Sequence, residues 1–217
     1  MKYLTSAAGA IALIIAAPVG AATLTYDFDI SFGQTAASGP APWLTATFDD
    51  GGSPGSVTLT MDALVSLGTS QIGQVYFSFD SAITDLLVTR VSDFSQVGAI
   101  DVSYALNDGY QADGDGKYDL LFDMPPPGNP GTRFQANEQL VYAITGTGLT
   151  ADSFNLLSTA GGGNGPFYAA AHVLSTGVGG ADSDWIAAVP VPAAVWLFGS
   201  GLGLLGWMRR KSIIAAK

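Results

Sequence analysis

The sequence predicts an all-β domain, an antiparallel β-sandwich of jelly-roll-like topology, with a hydrophobic segment at each end of the chain. Short runs of alternating apolar and polar residues recur along residues 23–175, as in half-buried strands. Runs of Gly, Pro, Asn and Asp separate these strands, as in the turns of antiparallel sheets. The chain has no cysteine, so its stability must come from apolar burial or bound metal.

The strands are predicted in order from these alternations. The first spans residues 24–32 and places every second side chain, from Leu24 to Phe32, on one face. Further strands are predicted over 43–48, 57–61, 75–79, 83–91, 100–104, 118–122, 140–144 and 167–174, with a last edge at Trp185 and Ile186. One short helix is predicted over 151–158, capped by Thr150, with Phe154 and Leu157 facing inward.

The N-terminal segment, residues 1–22, has the composition of a secretory signal peptide. Lys2 supplies a positive charge, Leu4–Ala17 is mostly apolar, and small residues follow. We expect cleavage after Ala21 or Ala22. The alternative is an uncleaved N-terminal anchor.

The C-terminal segment predicts a membrane anchor. A Gly-rich linker is expected over 176–188, followed by an apolar helix over 189–211. The 24 positions between Asp184 and Arg209 carry no charge, and a helix needs about 20 apolar residues to cross a bilayer. Because a basic cluster ends this run, residues 212–217 should be cytoplasmic and the β domain should lie across the membrane. The alternative is a helix buried in a globular core.

The same segment combines a proline motif, a Gly-rich apolar helix and a basic cluster. The residues of the motif and the cluster are Val189, Pro190, Val191, Pro192, Ala193, Arg209, Arg210 and Lys211. In this order the segment resembles the PEP-CTERM sorting domain, in its VPxPA-type variant. The resemblance implies a Gram-negative producer of exopolysaccharide and sorting by an exosortase, a membrane-embedded cysteine transpeptidase-like enzyme that processes the chain near the prolines. Residues 113–120 and 167–173 also resemble ectodomains of other PEP-CTERM proteins.

The charge of the β domain excludes some partners. All 18 acidic residues lie within 23–190 against three basic ones, a net charge of −15. Such a field repels nucleic acid and anionic lipid and favours cations.

A calcium site is one interpretation of the segment 107–119. Asp113 and Asp115 alternate with glycines, Asp119 follows them, and Ca²⁺ prefers carboxylate oxygens around a sharp turn. The spacing departs from an EF-hand loop, because Phe122 stands where a bidentate glutamate is needed. The alternative is a solvated hairpin tip.

The sequence predicts a non-enzymatic protein. His172 is the only histidine and lies in an apolar strand, which favours a structural role over a catalytic one. Gly51–Gly55 matches the G-x-S-x-G nucleophile elbow but lies between two predicted strands, which favours a hairpin. Glu138 is the sole glutamate, so a carboxylate pair for sugar hydrolysis has weak support.

Function is therefore predicted from the two targeting segments, at residues 1–22 and 189–211, and from the resemblance to PEP-CTERM proteins. We expect an exported surface or matrix protein, structural or adhesive, that is anchored in the inner membrane as a precursor and reaches the cell surface or the exopolysaccharide. One alternative is a calcium-assisted carbohydrate-binding module, and another is a secreted hydrolase. The aromatic side chains that could stack on sugars are Trp43, Tyr110, Tyr168 and Trp185.

Overall fold

A computed structural model describes residues 20–93, 97–112, 116–125 and 133–190. In these ranges the chain forms strands, three short 3₁₀ helices and turns. The strands are β1 (Thr23–Ser31), β2 (Leu44–Asp49), β3 (Ser56–Ala63), β4 (Gln71–Phe77), β5 (Leu87–Asp93), β6 (Asp101–Tyr104), β7 (Tyr110–Gln111), β8 (Gly116–Tyr118), β9 (Leu120–Asp123), β10 (Phe134–Gln135), β11 (Gln139–Thr145), β12 (Thr159–Ala160), β13 (Ala169–Thr176) and β14 (Asp182–Pro190).

The predicted all-β antiparallel class is confirmed. The main sheet follows the order β5-β11-β3-β2-β1-β14-β13-β4-β9-β6, with β10 paired to β4. Every pairing in it is antiparallel. Alternation decides which side chains face inward: in β1, Leu24, Tyr26 and Phe28 are buried, while Thr25 and Asp27 between them are only half-buried.

The main sheet curls until it is nearly a closed barrel. Strands from its two halves face each other across the core: the rings of Phe48 and Phe77 lie 5.1 Å apart, and those of Phe122 and Tyr142 lie 4.9 Å apart. Between the two ends of the sheet, the guanidinium of Arg90 in β5 donates hydrogen bonds to the carbonyls of Val97 and Gly98, just before β6. Aromatic packing across the curl therefore fills the interior.

A second sheet, of order β12-β8-β7, covers part of the outer face of the barrel. Its Ala112 and Tyr118 pack with Tyr76 and Ala170 in a cluster separate from the main core. Tyr76 and Ala170 alternate with core-facing neighbours in β4 and β13, which places this cluster on the outside of the main sheet.

The predicted helix is shorter than expected. Only Ala151–Phe154 is helical, as a 3₁₀ turn. Phe154 faces the core as predicted and stacks on Phe48 at 4.1 Å, but Leu157 is exposed, which corrects its predicted inward position. Tyr26 fixes the turn by donating a 2.6 Å hydrogen bond to the carbonyl of Phe154.

The prediction of a Gly-rich linker over 176–188 is wrong. Residues 176–182 hold the hairpin that joins β13 to β14, and β14 lies between β1 and β13 within the sheet. Charged Asp182 and Asp184 obscure the alternation of this strand in the sequence, although Ile186 and Ala188 face the core. The domain therefore extends past residue 175 to 190.

The predicted sorting motif begins inside this strand. Val189 and Pro190 are the last residues of β14, where Pro190 is aligned with Tyr26 of β1. The rest of the motif and the basic cluster fall outside the described residues, as do residues 1–19 of the predicted signal peptide. In the parts of the chain that are described, no helix is long and apolar enough to cross a membrane.

Candidate functional site

A row of aromatic rings lies on the outer face of the main sheet. His172 in β13 and Trp185 in β14 are direct partners in the sheet, and their rings stack at 4.5 Å with an interplanar angle of 13°. The ring of Tyr76 lies 5.8 Å from that of Trp185 and belongs to β4, on the other side of β13. Tyr76 is buried, whereas His172 and Trp185 are half-exposed. The buried ring of Tyr76 thus packs beside the half-exposed ring of Trp185.

Phe32 extends the row because β1 contains a bulge. The alternation predicted Phe32 on the core face with Tyr26, but the pairing with β14 shifts between Phe28 and Ile30. After the shift Phe32 reaches the outer face, 6.4 Å from Trp185, and its N–H donates to the Trp185 carbonyl at 2.9 Å. Phe167 follows at 5.4 Å from Phe32. We call Phe167, Phe32, Trp185 and His172 the aromatic row.

Polar side chains lie beside the two middle rings of the aromatic row, Phe32 and Trp185, and form a groove with them. This rim groove has a volume of about 430 Å³. Its lining residues are Phe32, Gly33, Gln34, Asn164, Ala181, Asp182, Ser183 and Trp185. The groove thus combines half-exposed aromatic faces with amide, hydroxyl and carboxylate groups, which can donate and accept hydrogen bonds.

Close backbone contact shapes the groove wall. A Cβ atom on Gly33 would lie 2.3 Å from Oδ1 of Asp184 and 2.6 Å from the backbone N of Trp185, so only glycine fits without movement. At the hairpin, Gly177 has φ +70°, and a Cβ there would lie 2.3 Å from Oδ2 of Asp182.

Asp184 lies under the groove on the inner side of the sheet. It is fully buried, and its Oδ2 accepts a 2.7 Å hydrogen bond from the hydroxyl of Ser31. Within the described ranges its Oδ1 has no hydrogen-bond partner, and neither has the buried hydroxyl of Thr176. A buried polar atom without a partner is costly, which makes this place a candidate for an additional ligand.

A second groove lies on the other side of His172. It has a volume of about 470 Å³, and its lining includes Gln74, Asp123 and Arg133. Tyr76 donates to Oε1 of Gln74 at 2.8 Å, and Gln74 donates to Oδ1 of Asp123 at 3.2 Å. Burial, together with the charge of Asp123, raises the pKa of Tyr76 to about 12, so the phenol stays protonated. Burial also lowers the pKa of Arg133.

The predicted calcium ligands are only partly described. Asp113 and Asp115 lie outside the described residues. Asp119 is buried, and its carboxylate accepts hydrogen bonds from the backbone N–H groups of Asp108 and Phe79. Asp119 thereby fixes the turn at Asn107 and Asp108, both of which have a left-handed conformation. Among the described residues, no group of three or more acidic or histidine side chains is arranged to hold a metal ion.

Of the four predicted sugar-stacking aromatics, Trp185 lines the rim groove. Trp43 is buried and donates to the carbonyl of Gly39 at 2.8 Å. Tyr168 packs against Tyr26, and Tyr110 packs in the outer cluster. The predicted hairpin at 51–55 is confirmed, because β2 and β3 on either side of it are paired.

Sequence reasoning did not assign Phe32, Asn164 or Asp182 to a site. These residues are far apart in the chain, and only the bulge in β1 and the hairpin before β14 bring them together. No family model, curated protein or solved structure that was compared with this chain matches it.

Proposed function

We propose that the chain is a non-enzymatic, exported protein of an exopolysaccharide matrix and that the rim groove binds polysaccharide. A sugar ring has one face of C–H groups and a rim of hydroxyls. Trp185 and Phe32 offer apolar faces for the former, and Gln34, Asn164 and Asp182 offer donors and acceptors for the latter. The observation that carries the proposal is this pairing of half-exposed rings with polar groups in one groove.

Rigidity supports the proposal. Trp185 is stacked against His172 and lies beside Tyr76, and it belongs to an inner strand of the sheet. A ring fixed before binding loses little conformational freedom when the ligand arrives, which favours affinity. The net charge of −15 over 23–190 favours neutral polysaccharide, or an anionic one with bridging cations.

The test is binding to the exopolysaccharide of a Gram-negative host. In gels that contain the polysaccharide, the exported protein should be retarded. Trp185→Ala should weaken binding about tenfold, equivalent to ~1.4 kcal/mol. Tyr104→Ala is a matched control, because Tyr104 is 42% exposed and belongs to β6, which is not part of the groove. Equal retardation of all three proteins would contradict the proposal.

The sorting part of the proposal is supported by the sequence of the tail. An exosortase would process the chain near Val189–Ala193, while the apolar helix anchors the precursor in the inner membrane and residues 209–211 stay on the cytoplasmic side. The jelly-roll-like sandwich also remains a proposal, supported by the two halves of the sheet that face each other across the core. Mass spectrometry of the exported protein should show the tail removed in a host with exosortase and retained in a host without it.

Calcium-assisted binding is a second candidate, favoured by Asp184. Its buried Oδ1 has no hydrogen-bond partner among the described residues. Asp184 also directly precedes Trp185 in the chain. The earlier candidates Asp113, Asp115 and Asp119 remain an alternative site. Calcium should raise the melting temperature, since a ligand stabilises the state it binds. Asp184→Asn would abolish this rise if calcium binds at the rim, and Asp113→Ala with Asp115→Ala would abolish it if calcium binds at the loop.

A further inference from the structure

Asp50 forms hydrogen bonds with both the N–H and the carbonyl of Ala22. The N–H of Ala22 donates to Oδ1 of Asp50 at 2.8 Å, and the N–H of Asp50 donates to the carbonyl of Ala22 at 3.2 Å. Ala22 is half-buried against the core, whereas Gly20 and Ala21 are exposed. The fold therefore makes specific use of residue 22 and not of the two residues before it.

The carboxylate of Asp50 is buried and accepts hydrogen bonds from three backbone N–H groups, the first of them that of Ala22. It is 6% exposed, and its carboxylate also accepts backbone N–H groups from Gly52 at 2.9 Å and Ala151 at 3.3 Å. In the part of the chain that the structure describes, no basic side chain pairs with it. Asp50 thus joins the start of β1, the β2–β3 turn and the 3₁₀ helix.

We propose that a secretory processing peptidase cleaves the chain between Ala21 and Ala22 and that the new α-ammonium of Ala22 forms an ion pair with Asp50. This inference rests on the export that is part of the proposed function. Water hydrolyses the peptide bond, giving a carboxylate on Ala21 and an ammonium on Ala22. The nitrogen already lies 2.8 Å from the Asp50 carboxylate. Cleavage exchanges one neutral donor for a charged one at the same place.

Cleavage one residue later would dismantle this arrangement. A chain that begins at Thr23 has lost the N–H that Asp50 accepts and the carbonyl that the Asp50 N–H needs. The buried carboxylate would then retain two of its three backbone donors. Small residues at 20–22 allow either cleavage in the sequence, so the hydrogen bonds of Ala22 are what distinguishes the two.

The ion pair should change the chemistry of the amine. An α-amino group has an ordinary pKa of about 7.7–8.0, and an adjacent carboxylate favours its charged form. The native pKa should therefore lie above the unfolded value. The stabilisation is complete below the unfolded pKa and is lost as the pH rises through the native one.

The first measurement is the N-terminus of the exported protein, from the full chain expressed in a Gram-negative host. We expect a mature chain that begins at Ala22. A chain that begins at Thr23 would overturn this inference and leave the proposed export intact. A chain that keeps residues 1–21 would overturn both.

The second measurement is the acylation rate of the α-amine at pH 7 in that mature protein. In the folded protein the amine should react about tenfold more slowly than in the same protein unfolded in urea, a comparison that needs no variant. Asp50→Asn should remove the protection, while Asp49→Asn, whose carboxylate accepts the N–H of Gly51, should keep it. Equal rates in the folded and unfolded wild type would overturn the ion pair.

Discussion

Replacing Gly33 by alanine should destabilise the barrel at the rim groove. The added methyl group would lie 2.6 Å from the backbone N of Trp185 and 2.3 Å from Oδ1 of Asp184, so β14 or the segment after β1 has to move. The conformation of Gly33 is not left-handed, and the effect is therefore one of overpacking. Overpacking costs about 1–3 kcal/mol, and a domain of this size loses about 2–4 °C of melting temperature per kcal/mol.

Thermal unfolding followed by circular dichroism measures this effect. Gly163→Ala is the matched control, because a Cβ there would meet nothing within 4 Å. We expect Gly163→Ala to melt at the wild-type temperature or slightly above it, since alanine restricts the unfolded chain. Gly33→Ala should melt about 2–12 °C lower and should bind polysaccharide more weakly. If the two variants were equally stable, the tight packing of Gly33 against β14 would be refuted.

Three further predictions concern the fold. Tyr26→Phe should cost about 1–3 kcal/mol in urea unfolding, because the buried carbonyl of Phe154 loses its 2.6 Å donor; the exposed Tyr104→Phe should cost almost nothing. A chain ending at Pro190 should fold, whereas one ending at Ala181 should not, because it lacks β14 from within the sheet; folding of the shorter chain would contradict the topology. Backbone N–H groups of Ala22 and Gly52 lower the pKa of Asp50 in the folded protein. The ionised carboxylate therefore stabilises the fold above about pH 4, and this contribution is lost as the pH falls through the lowered pKa. If the melting temperature of Asp50→Asn fell with acid in the same way as that of the wild type, this prediction would be wrong.

Much of the fold could be predicted from alternation alone. Strands β1, β2, β3 and β11 bury every second side chain, because each has one face in the core, and in β1, β2 and β3 mostly polar residues lie between the buried ones. Of strand β14 only a short edge at Trp185 and Ile186 was predicted, because Asp182 and Asp184 interrupt this pattern; the strand spans Asp182–Pro190 and lies between β1 and β13. Asp184 faces inward at the end of the barrel, where the hydroxyl of Ser31 donates a hydrogen bond to its carboxylate.

The site was harder to predict because it depends on register. A single bulge between Phe28 and Ile30 moves Phe32 from the core face to the outer face, and nothing in the local alternation indicates it. Trp185 was a candidate from its residue type, but its stacking on His172 follows from the pairing of β13 with β14. The carboxylate of Asp119, a predicted calcium ligand, accepts the backbone N–H groups of Asp108 and Phe79, contacts that its spacing from Asp113 does not indicate.

The most direct test of the rim groove uses His172 as a reporter. It is the only histidine of the chain, so its ring protons give one set of NMR signals, and its ring stacks on Trp185 at 4.5 Å. Titration with oligosaccharides cut from the host's exopolysaccharide should shift these signals in a saturable way. Binding that leaves the His172 signals unmoved would place the ligand elsewhere and contradict the account.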